Sequence, residues 1–152
     1  MDTNDIFRRL RYILGYNDVK MSEVFALADD PVKQAKVTTW LKKDDDSDFV
    51  KMPDVMLATF LNGLINQKRG KKDGPQSTPE QEINNNIVFR KLRIAFDLKS
   101  DDILELYELV DKSISPHELS AFFRKPTSSK YRECNDQYLR HFITGLQAKY
   151  RD

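Results

Sequence analysis

Ile6, Phe7, Leu10, Ile13 and Leu14 recur at the three- and four-residue spacing that gathers side chains on one face of a helix. The pattern returns at Ile87, Val88, Phe89, Leu92, Ala95 and Phe96, and the stretch Asn4–Arg11 is echoed at 86–93 (Arg8 on Arg90, a shift of 82). The shift holds without a gap to the C-terminus. It places Trp40 on Phe122, Asp54 on Asp136, Phe60 on Phe142, Gly63 on Gly145 and Leu64 on Leu146. Self-similarity at a fixed period is the mark of a duplicated structural unit. The polar back of the first helix is predicted to carry Asn4, Arg8 and Arg11, matched by Asn86, Arg90 and Arg93, all identical between copies. Thr3 or Asn4, and Asn85 or Asn86, are the expected N-caps.

Three more helices follow in each copy. The second runs from Asp18 to about Ala28, with Met21, Val24, Phe25 and Leu27 matching Ile103, Leu106, Tyr107 and Leu109. The third is expected to start at Asp30-Pro31, and at Ser115-Pro116 with Glu118 completing a capping box. It buries Val37, Trp40 and Leu41, or Leu119, Phe122 and Phe123. The fourth begins near Pro53-Asp54 and Asn135-Asp136. Gly63 and Gly145 sit inside it, where glycine costs about 1 kcal/mol relative to alanine. Accepting that cost twice predicts a close helix crossing at both. Residues 70–82, rich in Gly, Pro, Lys and Ser, read as an exposed linker. No stretch alternates long enough for a strand. The expectation is an all-α chain of two tandem four-helix repeats, 1–69 and 83–152, related by a pseudo-two-fold axis. In each repeat the second and third helices make a helix-turn-helix-like element.

Composition narrows the class only a little. Lys and Arg number 25 against 24 Asp and Glu, a net charge of +1, so only local clustering could favour a polyanion. The single cysteine, Cys134, excludes a disulfide within the chain and suits a reducing compartment. The polar, acidic N-terminus is unlike a signal peptide, and no apolar run reaches the roughly 20 residues of a membrane span. A cytoplasmic protein with no membrane association is expected.

Candidate chemistry is sparse. Cys134 and His141 could form a nucleophile pair, but no orienting acid or oxyanion loop is evident, and Cys134 aligns with Met52, an apolar position. Asp44, Asp46 and Asp48 have the spacing that opens a calcium loop. Phe49 and Val55 occupy the places of its required glycine and closing glutamate. No catalytic residue, metal site or cofactor is assigned. Arg8, Arg11, Arg90 and Arg93 could bind an anion or an acidic partner; alternatively they pair within each repeat with Glu23 and Asp54, or with Glu105 and Asp136. Lys33, Lys36, Lys42, Lys43, Lys71, Lys72, Arg124 and Lys125 form a candidate nucleic-acid surface on the third helices and the linker, interrupted by the acidic run Asp44–Asp48.

The doubled Asn-x-Ile/Val-Phe-Arg-Arg/Lys-Leu-Arg motif resembles the YehS-like family of bacterial proteins of unknown function. So do Lys68-Arg69-Gly70-Lys71-Lys72, Leu119–Pro126 and Tyr131-Arg132-Glu133-Cys134. The resemblance spans the chain. It implies a small cytosolic protein of two related helical repeats and brings no activity, cofactor or site residue. The reading is a non-catalytic binding or adaptor protein that recognises another protein, the alternative being a DNA- or RNA-binding regulator.

Overall fold

The computed structural model describes residues 1–151, and among these it is helical throughout, with no strand. The helices are α1 Thr3–Leu14, α2 Asp18–Ala26, α3 Gln34–Leu41, α4 Asp54–Arg69, α5 Asn85–Ala95, α6 Ser100–Leu109, α7 Pro116–Phe122 and α8 Asp136–Tyr150. Each helix of the second set starts where the 82-residue shift puts it: Thr3 and Asn85, Asp18 and Ser100, Gln34 and Pro116, Asp54 and Asp136. The chain forms two compact units, the first comprising Met1–Ile83 and the second beginning at Asn84.

Both units are built on the same aromatic centre. Phe7, Phe25, Trp40 and Phe60, one from each helix, are buried together; Phe7 stands edge-on to Phe60 at 4.9 Å. The matching positions are Phe89, Tyr107, Phe122 and Phe142, with Phe89 stacked on Phe142 at 4.0 Å. Large rings meeting at one point supply most of a small unit's apolar burial and fix its geometry through ring–ring contact. Tyr107 replaces Phe25, and its hydroxyl donates to the Tyr138 carbonyl at 2.7 Å, so the added oxygen is satisfied.

The two interior glycines mark close crossings, as their cost implied. A Cβ on Gly63 would lie 2.1 Å from the Val24 carbonyl oxygen of α2, and one on Gly145 2.6 Å from the Leu106 oxygen of α6. Backbone meets backbone there, and no side chain fits between.

Several expected boundaries move. The caps of α1 and α5 are Asp2 and Asn84, whose side chains accept from the amides of Asp5 and Ile87. The helix α3 begins at Gln34, not at Asp30-Pro31, because Asp29 takes a left-handed conformation (φ 58°) and the chain stays irregular to Lys33. Asp111, its counterpart, does the same (φ 57°), and there Ser115 caps α7 with the expected reciprocal box to Glu118. The connections between α2 and α3 and between α6 and α7 are therefore longer than the three or four residues of a DNA-binding helix-turn-helix. The stretch 70–82, expected as an exposed linker, is mostly exposed, and it and Ile83 also bond to the first unit. The Asn66 amide donates to Gln76, Lys71 pairs with Asp29, and the Ile83 amide donates to Asp54 at 3.0 Å.

Candidate functional site

Asn4 and Asn86 are not on the polar back of their helices. They are 0% and 6% exposed, and each holds the loop ahead of the fourth helix against the first. The Asn4 amide donates to the carbonyls of Trp40 (3.0 Å) and Val50 (2.9 Å), and its oxygen accepts from the Met52 amide (3.0 Å). Asn86 repeats this with Phe122 (3.1 Å), Arg132 (2.9 Å) and Cys134 (2.9 Å). The preceding residue joins in: the Thr3 hydroxyl donates to the Met52 carbonyl, and the Asn85 amide to that of Cys134. A carboxamide carries donor and acceptor on one rigid group, which is what an irregular buried loop requires.

The arginines make equally local bonds. Arg11 and Arg93 each direct Nε to a carbonyl of the turn after their own helix, Tyr16 at 3.4 Å and Leu98 at 3.1 Å. Each then reaches the first residue of the next helix, Asp18 at 3.6 Å and Ser100 at 3.4 Å. Arg93 also lies over the Phe123 ring at 4.6 Å. Arg8 donates to the Lys42 carbonyl at 2.7 Å and pairs with Asp5 at 2.5 Å, with Asp44 at 3.8 Å. The acids paired with Arg8 and Arg11 are thus Asp5, Asp44 and Asp18 rather than Glu23 and Asp54. Arg90 is exposed.

Of the candidate nucleic-acid residues, Lys33, Lys36, Lys43, Lys72, Arg124 and Lys125 are exposed and Lys42 is half-buried, while Lys71 is engaged by Asp29. Asp44, Asp45, Asp46 and Asp48 are exposed beside Lys42 and Lys43. Within that acidic run the Asp46 carboxylate accepts from the Asp48 amide, and in the second unit the Ser128 hydroxyl accepts from the Lys130 amide in the same way. The aspartate therefore has a turn-forming role that a serine fills equally well. Among the described residues, no three His, Cys, Asp or Glu side chains converge as a metal site would require.

Cys134 is 4% exposed, and burial, with a smaller contribution from the Asp136 charge, pushes its thiol up to about 12. A nucleophilic cysteine needs the opposite shift. His141 is held below its ordinary value by desolvation and by the charges of Lys112 and Arg140. It lines a surface cleft of about 380 Å³ between the α6–α7 loop and the first turns of α8, with Lys112, Ser113, Asn135 and Tyr138. The Tyr138 hydroxyl donates to Glu118 at 2.6 Å, and that bond is the main reason the Glu118 carboxyl lies below its usual range. Nothing in the sequence pattern marked this cleft. Apart from Asp111, the residues that line it differ from their counterparts in the first copy.

These features define a tandem repeat protein: one four-helix unit used twice, each closed by an asparagine clamp. The chain belongs to the family described as protein of unknown function (DUF1456), whose model matches it twice, at residues 3–70 and 85–152. It is 45% identical over 150 residues to the uncharacterized protein YehS of Escherichia coli (strain K12), covering 98% of this chain and 96% of that protein. No solved structure matches the chain significantly. No helix of the described residues is long and apolar enough to cross a membrane.

Proposed function

We propose that the protein is a non-catalytic cytoplasmic binding protein that recognises another protein, with 1–69 and 83–152 as its two repeats and 70–82 joining them. The observation that carries this reading is where the shared polar residues point. Asn4, Asn86, Arg11 and Arg93 direct hydrogen bonds into their own units, which supports a role in holding each unit together over one in binding an external anion. Recognition then falls to surfaces on which the repeats differ. The buried, high-pKa Cys134 argues against covalent catalysis.

The exposed cations Lys33, Lys36, Lys43, Lys72, Arg124 and Lys125 support the second reading, a nucleic-acid-binding regulator. Lys71 already engaged by Asp29, and four exposed aspartates beside Lys42 and Lys43, weigh against it. Two measurements separate the readings: mobility-shift assays at low salt with mixed-sequence DNA and RNA, and co-purification from extract of the source cells. Protein recognition predicts a stoichiometric protein partner and no shift. A shift that weakens steeply with salt and disappears in Lys36→Glu would replace it with the nucleic-acid reading.

A further inference from the structure

The helices α6 and α8 cross backbone to backbone at Leu106 and Gly145. Beside the crossing they leave a trough of about 400 Å³, lined by Asp102, Glu105, Leu106, Glu108, Leu109 and Lys149. Leu106 is buried, while Leu109 is 56% exposed, more than any other large apolar side chain of the described residues. Three of the six lining residues are acids. Lys149 is the one lining cation, and its ammonium stands 5.5 Å from the centre of the Tyr150 ring.

Helix stability explains only part of this charge. Asp101 and Asp102 lie in the first turn of α6, where negative charge suits the dipole, and Asp102 accepts from the Lys99 amide at 2.8 Å. Glu105 and Glu108 do neither. Both are exposed, and Glu108 stands in the last turn, where a carboxylate opposes the dipole. The helix α6 contains no Lys or Arg, and neither glutamate makes a salt bridge among the described residues. The 82-residue shift puts Asp102, Glu105 and Glu108 on Lys20, Glu23 and Ala26. The first unit therefore has opposite charges three residues apart where the second has three like charges at that spacing, which repel one another. Such a row weakens its own helix and attracts cations.

We propose that this trough docks a basic amphipathic helix of a partner protein, with an apolar side chain against Leu106 and Leu109 and flanking lysines or arginines facing Asp102, Glu105 and Glu108. The proposal rests on the protein-binding reading above and names the chemistry of the partner. Charge complementarity selects the occupant: three carboxylates against one lysine repel nucleic acid and acidic segments and draw in a cationic one. The exposed Leu109 beside them favours an amphipathic segment over a purely cationic one, because apolar burial adds to charge attraction. Acids three residues apart on α6 match cations three or four apart on a facing helix.

The probe is a peptide of about 15 residues built from leucine, lysine and alanine, with its leucines and lysines on one helical face. It is titrated into the ¹⁵N-labelled full chain and amide shifts are followed. The expected shifts concentrate at 102–109 and 146–150 and saturate at about 1 mM peptide, the range of a short segment that must order on binding. A peptide with alanine in place of its leucines binds about fivefold more weakly. The double variant Glu105→Gln with Glu108→Gln weakens the original peptide by about the same factor, because it removes two charged partners. Both glutamates are exposed, so the variant folds, and its melting temperature stays the same or rises as like charges are removed.

The proposal is overturned by an absence of shifts at about 10 mM peptide, well beyond the affinity range of weak specific contacts. Equally strong shifts at the exposed run Asp44–Asp48, or equal binding of the leucine-free peptide, would show charge attraction alone and also overturn it. A lower melting temperature in the double variant would show that the carboxylates hold the unit together, with the same consequence. A dimer that the peptide dissociates would assign the trough to a second copy and likewise overturn the proposal. A partner that co-purifies equally with wild type and the double variant would remove the trough while leaving the protein-binding reading intact. If wild type captures no partner, that broader reading fails, and the peptide titration still decides the trough.

Discussion

The loop ahead of the fourth helix and the groove at the end of the second were copied together, yet only the first stayed the same. In both units an asparagine one residue into the first helix makes the same three hydrogen bonds, to a carbonyl near the end of the third helix and to a carbonyl and an amide of the loop that follows. In the groove, by contrast, Asp30, Met56 and Thr59 became Lys112, Tyr138 and His141. The difference separates two kinds of polar residue. A buried carboxamide with every bond made leaves no room for change, because losing one partner strands the others without water. An exposed groove residue is worth little to stability and is free to vary.

The comparison is broken most severely at the clamps. Asn4→Ala and Asn86→Ala each strand a loop amide and two carbonyls, and each should cost about 3–4 kcal/mol in urea unfolding. Near-equality of the two losses is the informative part. A large loss for one and a negligible loss for the other would mean that only one clamp closes its unit.

Next come the glycine crossings. Gly63→Ala sets a methyl against the Val24 carbonyl and should cost about 3 kcal/mol, whereas Gly145→Ala, with slightly more room, should cost about 2. Similar chemical denaturation series check the order.

Alkali should tell the units apart. Cys134 and Tyr107 are buried in the second unit, where the first has Met52 and Phe25, which do not titrate. Burial raises both folded-state pKa values, Cys134 to about 12 and Tyr107 further still. The stability they carry is fully present below the unfolded-state values, near 9 for the thiol and 10 for the phenol. It falls as pH rises past those values, because the unfolded chain then releases protons that the folded unit retains. At pH 11 the loss from Cys134 alone should be about 3 kcal/mol at most. Hydrogen exchange resolved by unit should show the second loosening first, and the double variant Cys134→Met with Tyr107→Phe should remove the difference.

The smallest effect concerns the left-handed residues. Asp111→Gly relieves an unfavourable φ at little cost and should stabilise by about 0.5 kcal/mol. Asp29→Gly should gain less, because it gives up the pair with Lys71. Thermal melts of the two variants compare them directly.

Much of this fold is written in the spacing of Phe7, Trp40, Phe60 and their counterparts, and in glycines kept inside two helices. Position alone misassigned Asn4. By helical periodicity it belongs with Arg8 and Arg11, and its burial depends on loop carbonyls that no side-chain pattern reveals. The same blindness explains Arg8, Arg11 and Arg93, which bond the carbonyls of Lys42, Tyr16 and Leu98 as well as side chains other than the expected acids. The start of α3 was misplaced because Asp30-Pro31 is a good helix-start signal, and only the left-handed Asp29 shows that the chain is still turning. The cleft was invisible for another reason. Its residues are ordinary surface types, and no periodicity shows that the α6–α7 loop meets the first turns of α8.

Side-chain hydrogen exchange at Asn4 and Asn86 tests the central claim, that the identical polar residues of the two units close the fold, most directly. Both carboxamide groups should be among the slowest-exchanging side-chain amides of the protein, protected to a similar degree. Exchange of either one at the rate of a free asparagine would contradict the account.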